Sequence, residues 1–341
     1  MKKQVCNKSL SFTLLAVAVD VYGAIIGCFL FNSSQFPFFY SLQMLLLCLF
    51  ISIGGNIIKN GSYIIHTFLG NGYFYLSDPM NAEILVIGGG GAGGGRDVTG
   101  GGGAGGLIYV SSRKIDAGNY SVKIGLGGTG IADSTGKNGG NSVFLDYTAI
   151  GGGAGPRYDG TAKSGGSGGG GGREGTKLGA SGTSGQGYSG GNGYYTGSSS
   201  NGVGGGGGGA GESGKSTTDL HNAGNGGNGR FFEQFMHAGS PPGWFAGGGG
   251  GSPHRLDSSG VVGTGGLGGG AAGGVTSSQY GRFGVANTGG GGGASRWDGN
   301  GIGGSGGSGI VIIRYMIPHT SSLKVGHFAP YLFILLNLII L

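Results

Sequence analysis

The chain has 341 residues, of which 93 are glycine and only 8 are proline. Its formal net charge is +6, yet only 10% of residues are charged and no Lys/Arg block occurs, so the footprint of a nucleic-acid binder is missing. The glycines fall in near-pure blocks (Gly88–Gly91, Gly168–Gly172, Gly204–Gly209, Gly247–Gly251, Gly289–Gly293), which excludes the strict Gly-X-Y period of collagen.

Two apolar stretches open the chain. Leu10–Phe31 follows Lys2, Lys3 and Lys8 and contains Asp20, whereas Phe36–Ile53 carries no charge. A bilayer core takes about 20 apolar residues, so both are candidates for N-terminal hydrophobic helices. Three arrangements stay open. The first stretch has the basic start and the small residues (Gly23, Ala24) of a signal peptide. Alternatively the two form a helical hairpin, which places the following chain on the cytoplasmic side; a single span places it outside. Residues 1–60 are therefore read as a signal or membrane-spanning region. Cys6, Cys28 and Cys48 all lie in it, which leaves the glycine region without a disulfide or a cysteine metal site.

Strand signals come next. Tyr63–Phe68 is β-branched and aromatic; Asn71-Gly72 is a favoured hairpin turn, and Tyr73–Leu76 reads as the returning strand. Further strands are predicted at Ile84–Ile87, Leu107–Val110, Tyr120–Ile124, Val143–Leu145 and Ile310–Tyr315. If the last of these pairs with the early ones, Gly151–Gly309 is one long insertion closed at its base by a sheet. Glycine brings no side chain to bury and loses much entropy on ordering, so that insertion cannot rest on an ordinary core. Packed polyglycine II helices are the alternative. These are extended threefold rods whose backbone groups bond to neighbouring rods.

The succession Ser62–Phe68, Asn71–Phe74 and Ala82-Glu-Ile-Leu-Val-Ile-Gly-Gly-Gly-Gly91, then Gly105–Leu107, Tyr120–Gly125, Thr148–Gly153 and Gly306–Tyr315, resembles the glycine-rich domains of phage tail fibres and related viral and protist surface proteins. That family is similar to the distal adhesin of some phages and to the glycine-rich extracellular region of anaplastic-lymphoma-type receptor kinases. The resemblance implies polyglycine II packing and a surface display module whose loops bind a partner.

Two nucleotide motifs need weighing. Gly209-Ala-Gly-Glu-Ser-Gly-Lys-Ser216 fits the phosphate-loop pattern, in which Lys215 would reach the phosphates and Ser216 would hold Mg²⁺. Gly88, Gly90 and Gly93 follow a strand as in a dinucleotide fingerprint. Neither is followed by a helix-forming segment, and glycine abundance makes chance matches common. No catalytic set is evident; His66 reads as strand packing, and His237 and His254 as solvated loop residues.

Binding is expected instead at the aromatic interruption Arg230–Phe245. Aromatic and Arg side chains dominate binding hot spots, which makes Phe231, Phe232, Phe235, Trp244, Phe245, Arg296 and Trp297 the candidate partner-binding residues. The last run, Phe328–Leu341, is apolar but short for a span, and with Ser321 and Ser322 it has some features of a lipid-anchor signal.

The expected protein is all-β: a β-sandwich-like base with a long insertion of polyglycine II rods. Its glycine-rich domain spans 61–315, and 316–341 form a linker and apolar tail. The expected function is that of a non-enzymatic, membrane-associated surface protein, structural or adhesive, with the domain outside the cell. Its expected partners are the lipid bilayer and a surface receptor, glycan or protein ligand, with no nucleic acid, cofactor or metal. The alternatives are nucleoside-triphosphate binding through Gly209–Ser216, and a disordered glycine-rich segment.

Overall fold

The structure, a computed structural model, describes residues 52–174, 177–197, 202–254, 259–275, 280–296 and 300–317. The N-terminal apolar stretches, apart from Ser52 and Ile53, and the C-terminal apolar run lie outside these residues. Among the described residues no helix is long and apolar enough to cross a membrane.

The described chain is almost entirely β and extended. Its strands are β1 Asn56–Asn60, β2 Tyr63–Phe68, β3 Gly72–Leu76, β4 Met80–Ile87, β5 Leu107–Ile115, β6 Gly118–Lys123, β7 Ser142–Phe144 and β8 Tyr147–Ala149, then the short β9 Tyr194–Tyr195, β10 Gly202–Val203, β11 Arg230–Phe231 and β12 Trp244–Phe245, and last β13 Ile310–Met316. A five-stranded antiparallel sheet has the order β1-β2-β13-β4-β5, and a four-stranded sheet the order β3-β6-β7-β8. The closing strand does pair with the early ones: β13 lies between β2 and β4, with Ile313 opposite His66 and Ile84.

The two sheets enclose one core. Phe68, Ile84, Val86, Val311 and Ile313 of the first meet Phe74, Leu76, Val122 and Phe144 of the second. The opposite face of the five-stranded sheet is also apolar, with Ile65, Leu85, Ile87, Leu107, Ile310 and Ile312. This is why Ile84–Ile87 of β4 and Ile310–Ile313 of β13 are unbroken apolar runs rather than alternating ones: both faces of their sheet are covered.

The expected hairpin does not form. β2 is bonded to β1 and β13, and β3 crosses to the other sheet to pair with β6. Both edges of β2 are occupied, so Asn71-Gly72 carries the chain between sheets instead of reversing it. Asn71 uses its Oδ1 to accept the Ile124 N–H at 2.9 Å. Upstream of β2, Asn56–Asn60 pairs with it from Thr67 back to Tyr63.

Between the sheet strands the glycine blocks form a lattice with a period of three. From Gly88 onward, the N–H groups of Gly88, Gly91 and Gly94 bond to Gly106, Gly103 and Gly100. Those of Gly89, Ala92 and Gly95 bond to Gly140, Lys137 and Ser134, and those of Gly90, Gly93 and Arg96 to Gly307, Gly304 and Gly301. Each neighbour is thus served by every third residue, as a threefold extended helix requires.

Gly247–Ser252 shows the arrangement complete. Gly247 and Gly250 donate to Gly268 and Ala271, Gly248 and Gly251 to Gly227 and Gly224, and Gly249 and Ser252 to Gly102 and Thr99, all within 2.8–3.1 Å. Their carbonyls accept from Gly291 and Ala294, from Gly266 and Gly263, and from Gly207 and Gly204. Every backbone group of this segment is therefore paired without a strand or helix, which meets the requirement on buried amides. Only glycine allows it: a Cβ on Gly249 would sit 2.1 Å from the Gly292 oxygen.

At the lattice surface, asparagine completes the bonding. Asn138 and Asn141, three residues apart, accept through Oδ1 from the Ala154 and Gly151 N–H groups at 3.0 and 2.9 Å. Asn225 and Asn228 do the same for Thr264 and Leu267 at 2.8 and 3.0 Å. Replacing Asn225 and Asn228 together with alanine is expected to cost about 0.5–1.5 kcal/mol per bond. It should also speed amide exchange at Thr264 and Leu267, while Asn225→Asp, which keeps an acceptor, should protect Thr264.

Candidate functional site

The aromatic interruption is where non-glycine side chains concentrate. Its ends pair as β11 and β12, with Arg230 opposite Phe245 and Phe231 opposite Trp244. A 3-10 turn, Glu233–Phe235, lies between them. Phe232, Phe235 and Phe245 point inward and are buried on the second apolar face of the five-stranded sheet. The Tyr109 ring packs 4.9 Å from that of Phe232. Gln234 fastens the turn, donating to Glu83 at 3.2 Å and to the Tyr109 hydroxyl at 3.0 Å. Burial, with the Glu83 carboxylate second, raises the pKa of Tyr109 above the ordinary phenol value.

The seven candidate residues therefore separate. Phe232, Phe235 and Phe245 are core, because the sheet face beneath them needs an apolar cover. Phe231 stays 47% exposed, with its ring 5.5 Å from that of the partly exposed Trp244. Met236, absent from the sequence-based selection, is 54% exposed in the same insert. Arg296 belongs elsewhere. The segment from Gly289 starts beside Ile87 and Gly105 at the base, and Ser295 reaches Gly94 at the other end of that rod. There Arg296 is buried, donating to the Gly260 and His254 carbonyls at 3.2 and 3.3 Å. Trp297 lies outside the described residues.

That far end of the lattice is closed by charge and aromatic stacking. Arg96, Arg157 and Arg173 stand 5.2, 4.9 and 5.3 Å from the centre of the Tyr158 ring. Asp97, buried, meets His254 Nε2 at 3.2 Å and Arg173 at 3.6 Å. His254 is thus a buried partner of a carboxylate and not the solvated loop residue expected.

Neither nucleotide motif has the geometry its chemistry needs. The amides of Ala210, Gly211, Gly214 and Lys215 donate to Ala246, Asn228, Ser189 and Asn225 of neighbouring rods at 2.9–3.0 Å, so they do not converge on a phosphate. The Lys215 ammonium bonds to Glu212 and holds that carboxyl below its ordinary pKa. Ser216 Oγ accepts the Asn192 N–H at 2.9 Å. Gly88, Gly90 and Gly93 are buried rod residues. The helix that either motif requires is absent among the described residues, whose one helical element is the turn at Glu233.

His66 is a packing residue of β2. His66 is fully buried between the sheets. Its Nδ1 donates to the Gly54 carbonyl at 2.8 Å, which leaves Nε2 of the neutral ring to accept from Ser52 Oγ at 2.8 Å or the Tyr315 hydroxyl at 3.1 Å. Burial pushes its pKa below 6.5, the Gly54 bond opposing this only in part. Above pH 6.5 the ring is neutral folded or unfolded, and this stabilisation is fully present. As pH falls below 6.5 the unfolded chain takes up the proton first, and stability is lost until the lowered folded pKa is reached. Urea midpoints should therefore fall from pH 7.5 to pH 5, and less steeply in His66→Gln. His237, lowered by burial, acts in the same direction.

A polyglycine lattice raised on a two-sheet base defines the class of this protein: a glycine-rich domain in which glycine is the packing material. The profile of the glycine-rich domain family matches residues 70–316, and the chain belongs to that family. No curated protein matches the chain.

Proposed function

We propose that this is a non-enzymatic display module of a membrane-associated surface protein, acting in structure or adhesion. The observation that carries this reading is the lattice itself. Its glycine blocks satisfy one another's backbone groups, so the interior needs no side chains and the side chains that interrupt the blocks are left for the surface and the two ends. Such a scaffold holds loops in fixed positions at little entropic cost on binding, which favours recognition. The apolar stretches Leu10–Phe31, Phe36–Ile53 and Phe328–Leu341 supply membrane attachment. The exposed pair Phe231 and Trp244, with Met236, is the surface best suited to a protein or glycan partner.

Binding of full-length protein to intact cells and to an array of glycans tests this. Phe231→Ala with Trp244→Ala should lower binding at least about tenfold, the equivalent of roughly 1.4 kcal/mol. Unchanged binding by the double variant would remove this surface from the function. Magnesium-dependent nucleotide binding lost in Lys215→Ala would overturn the reading as a whole.

A further inference from the structure

Building on the membrane attachment just proposed, we infer that the outer face of the four-stranded sheet, at Ile53, Tyr73 and Tyr75, rests on the lipid headgroup layer. The uncharged stretch Phe36–Ile53 runs straight into the fold. Its last two residues are already fixed there. Ser52 is buried, its hydroxyl bonded to His66 and Tyr315. Ile53 exchanges both backbone hydrogen bonds with Tyr75, at 3.1 and 2.9 Å. No linker separates the apolar stretch from the sheet. A residue spans at most about 3.6 Å, so a bilayer that holds the chain up to residue 51 lies within a few residues' reach of this face.

The face has the chemistry of a headgroup contact. β3 alternates, with Phe74 and Leu76 turned into the core and Tyr73 and Tyr75 turned out, 59% and 45% exposed. Ile53, directly opposite Tyr75, is 37% exposed on the same side. The neighbouring strand adds exposed Lys123. Tyrosine and lysine combine an apolar body with a polar tip, which suits the boundary between lipid and water better than the hydrocarbon core. Anionic headgroups complement the lysine.

The test uses full-length protein with Cys6, Cys28 and Cys48 replaced by serine, floated with vesicles of phosphatidylcholine and phosphatidylglycerol. Spin labels are placed at Tyr73→Cys, Tyr75→Cys and, on an exposed lattice residue, Leu178→Cys. A nickel chelate tethered to lipid headgroups should relax the labels at 73 and 75 several-fold more than the label at 178. Protected amides across Gly247–Gly251 in each labelled variant establish that it is folded. Vesicle-bound, folded protein with equal relaxation at all three positions overturns this inference and leaves membrane attachment standing. Protein that fails to float with the vesicles overturns both.

Discussion

Gly249→Ala is expected to prevent the lattice from forming. The added methyl carbon would lie 2.1 Å from the Gly292 oxygen and 2.7 Å from its carbonyl carbon. Overpacking a core costs about 1–3 kcal/mol where side chains can shift. Here the obstacle is backbone, and that backbone is bonded on: the Gly292 oxygen accepts the Gly102 N–H at 2.8 Å. Relief requires one rod to move away from its neighbours, breaking several bonds at once. The expected loss exceeds about 3 kcal/mol, a large part of the roughly 5–15 kcal/mol that holds a typical domain. Gly70→Ala is the matched control. No heavy atom lies within 4 Å of its added Cβ, so its effect should stay within about 0.5 kcal/mol. Urea denaturation of the two variants separates glycine as packing material from glycine as mere composition.

Phe235→Ala should be the most damaging change in the aromatic insert. The ring is fully buried on the second face of the five-stranded sheet, and truncating such a ring costs about 3–5 kcal/mol. Phe231→Ala, at a ring 47% exposed, should cost less than about 1 kcal/mol. Thermal unfolding reads the difference. Comparable losses in the two variants would mean that the insert is not divided into a buried cover and an exposed ridge. The division matters for function, because only the exposed part is free to meet a partner. Binding losses in Phe235 variants would then report unfolding of the insert.

The base of the fold was legible because its strands are apolar in ways glycine cannot imitate. Ile84–Ile87 and Ile310–Ile313 stand out against their surroundings as unbroken apolar runs, the mark of a sheet covered on both faces. That clue was sufficient to ask what covers the second face, and Phe232, Phe235 and Phe245 are the answer. Composition alone could not separate them from a binding patch, since a core and a hot spot both demand ring area. Asn71-Gly72 misled because a turn dipeptide specifies a local bend and not the partner of the strand that follows. Asn56–Asn60 was hidden by its position, a short strand directly after an apolar stretch. The surface bonding left a readable trace in Asn138-Gly-Gly-Asn141 and Asn225-Gly-Gly-Asn228, where asparagine recurs with the period of the rods. The phosphate-loop match shows the reverse. Its spelling is complete, but its amides serve neighbouring rods, a fact that depends on segments distant in sequence.

Native-state amide hydrogen exchange across Gly247–Ser252 tests the lattice most directly. Each of these N–H groups has a partner on a neighbouring rod. They should exchange only on global unfolding, with protection equal to that of Ile312 and Ile313 in the central strand. Exchange at the rate of an unstructured chain across this block, while the strands stay protected, would contradict the lattice and leave the glycine blocks as disordered loops on a β-sandwich.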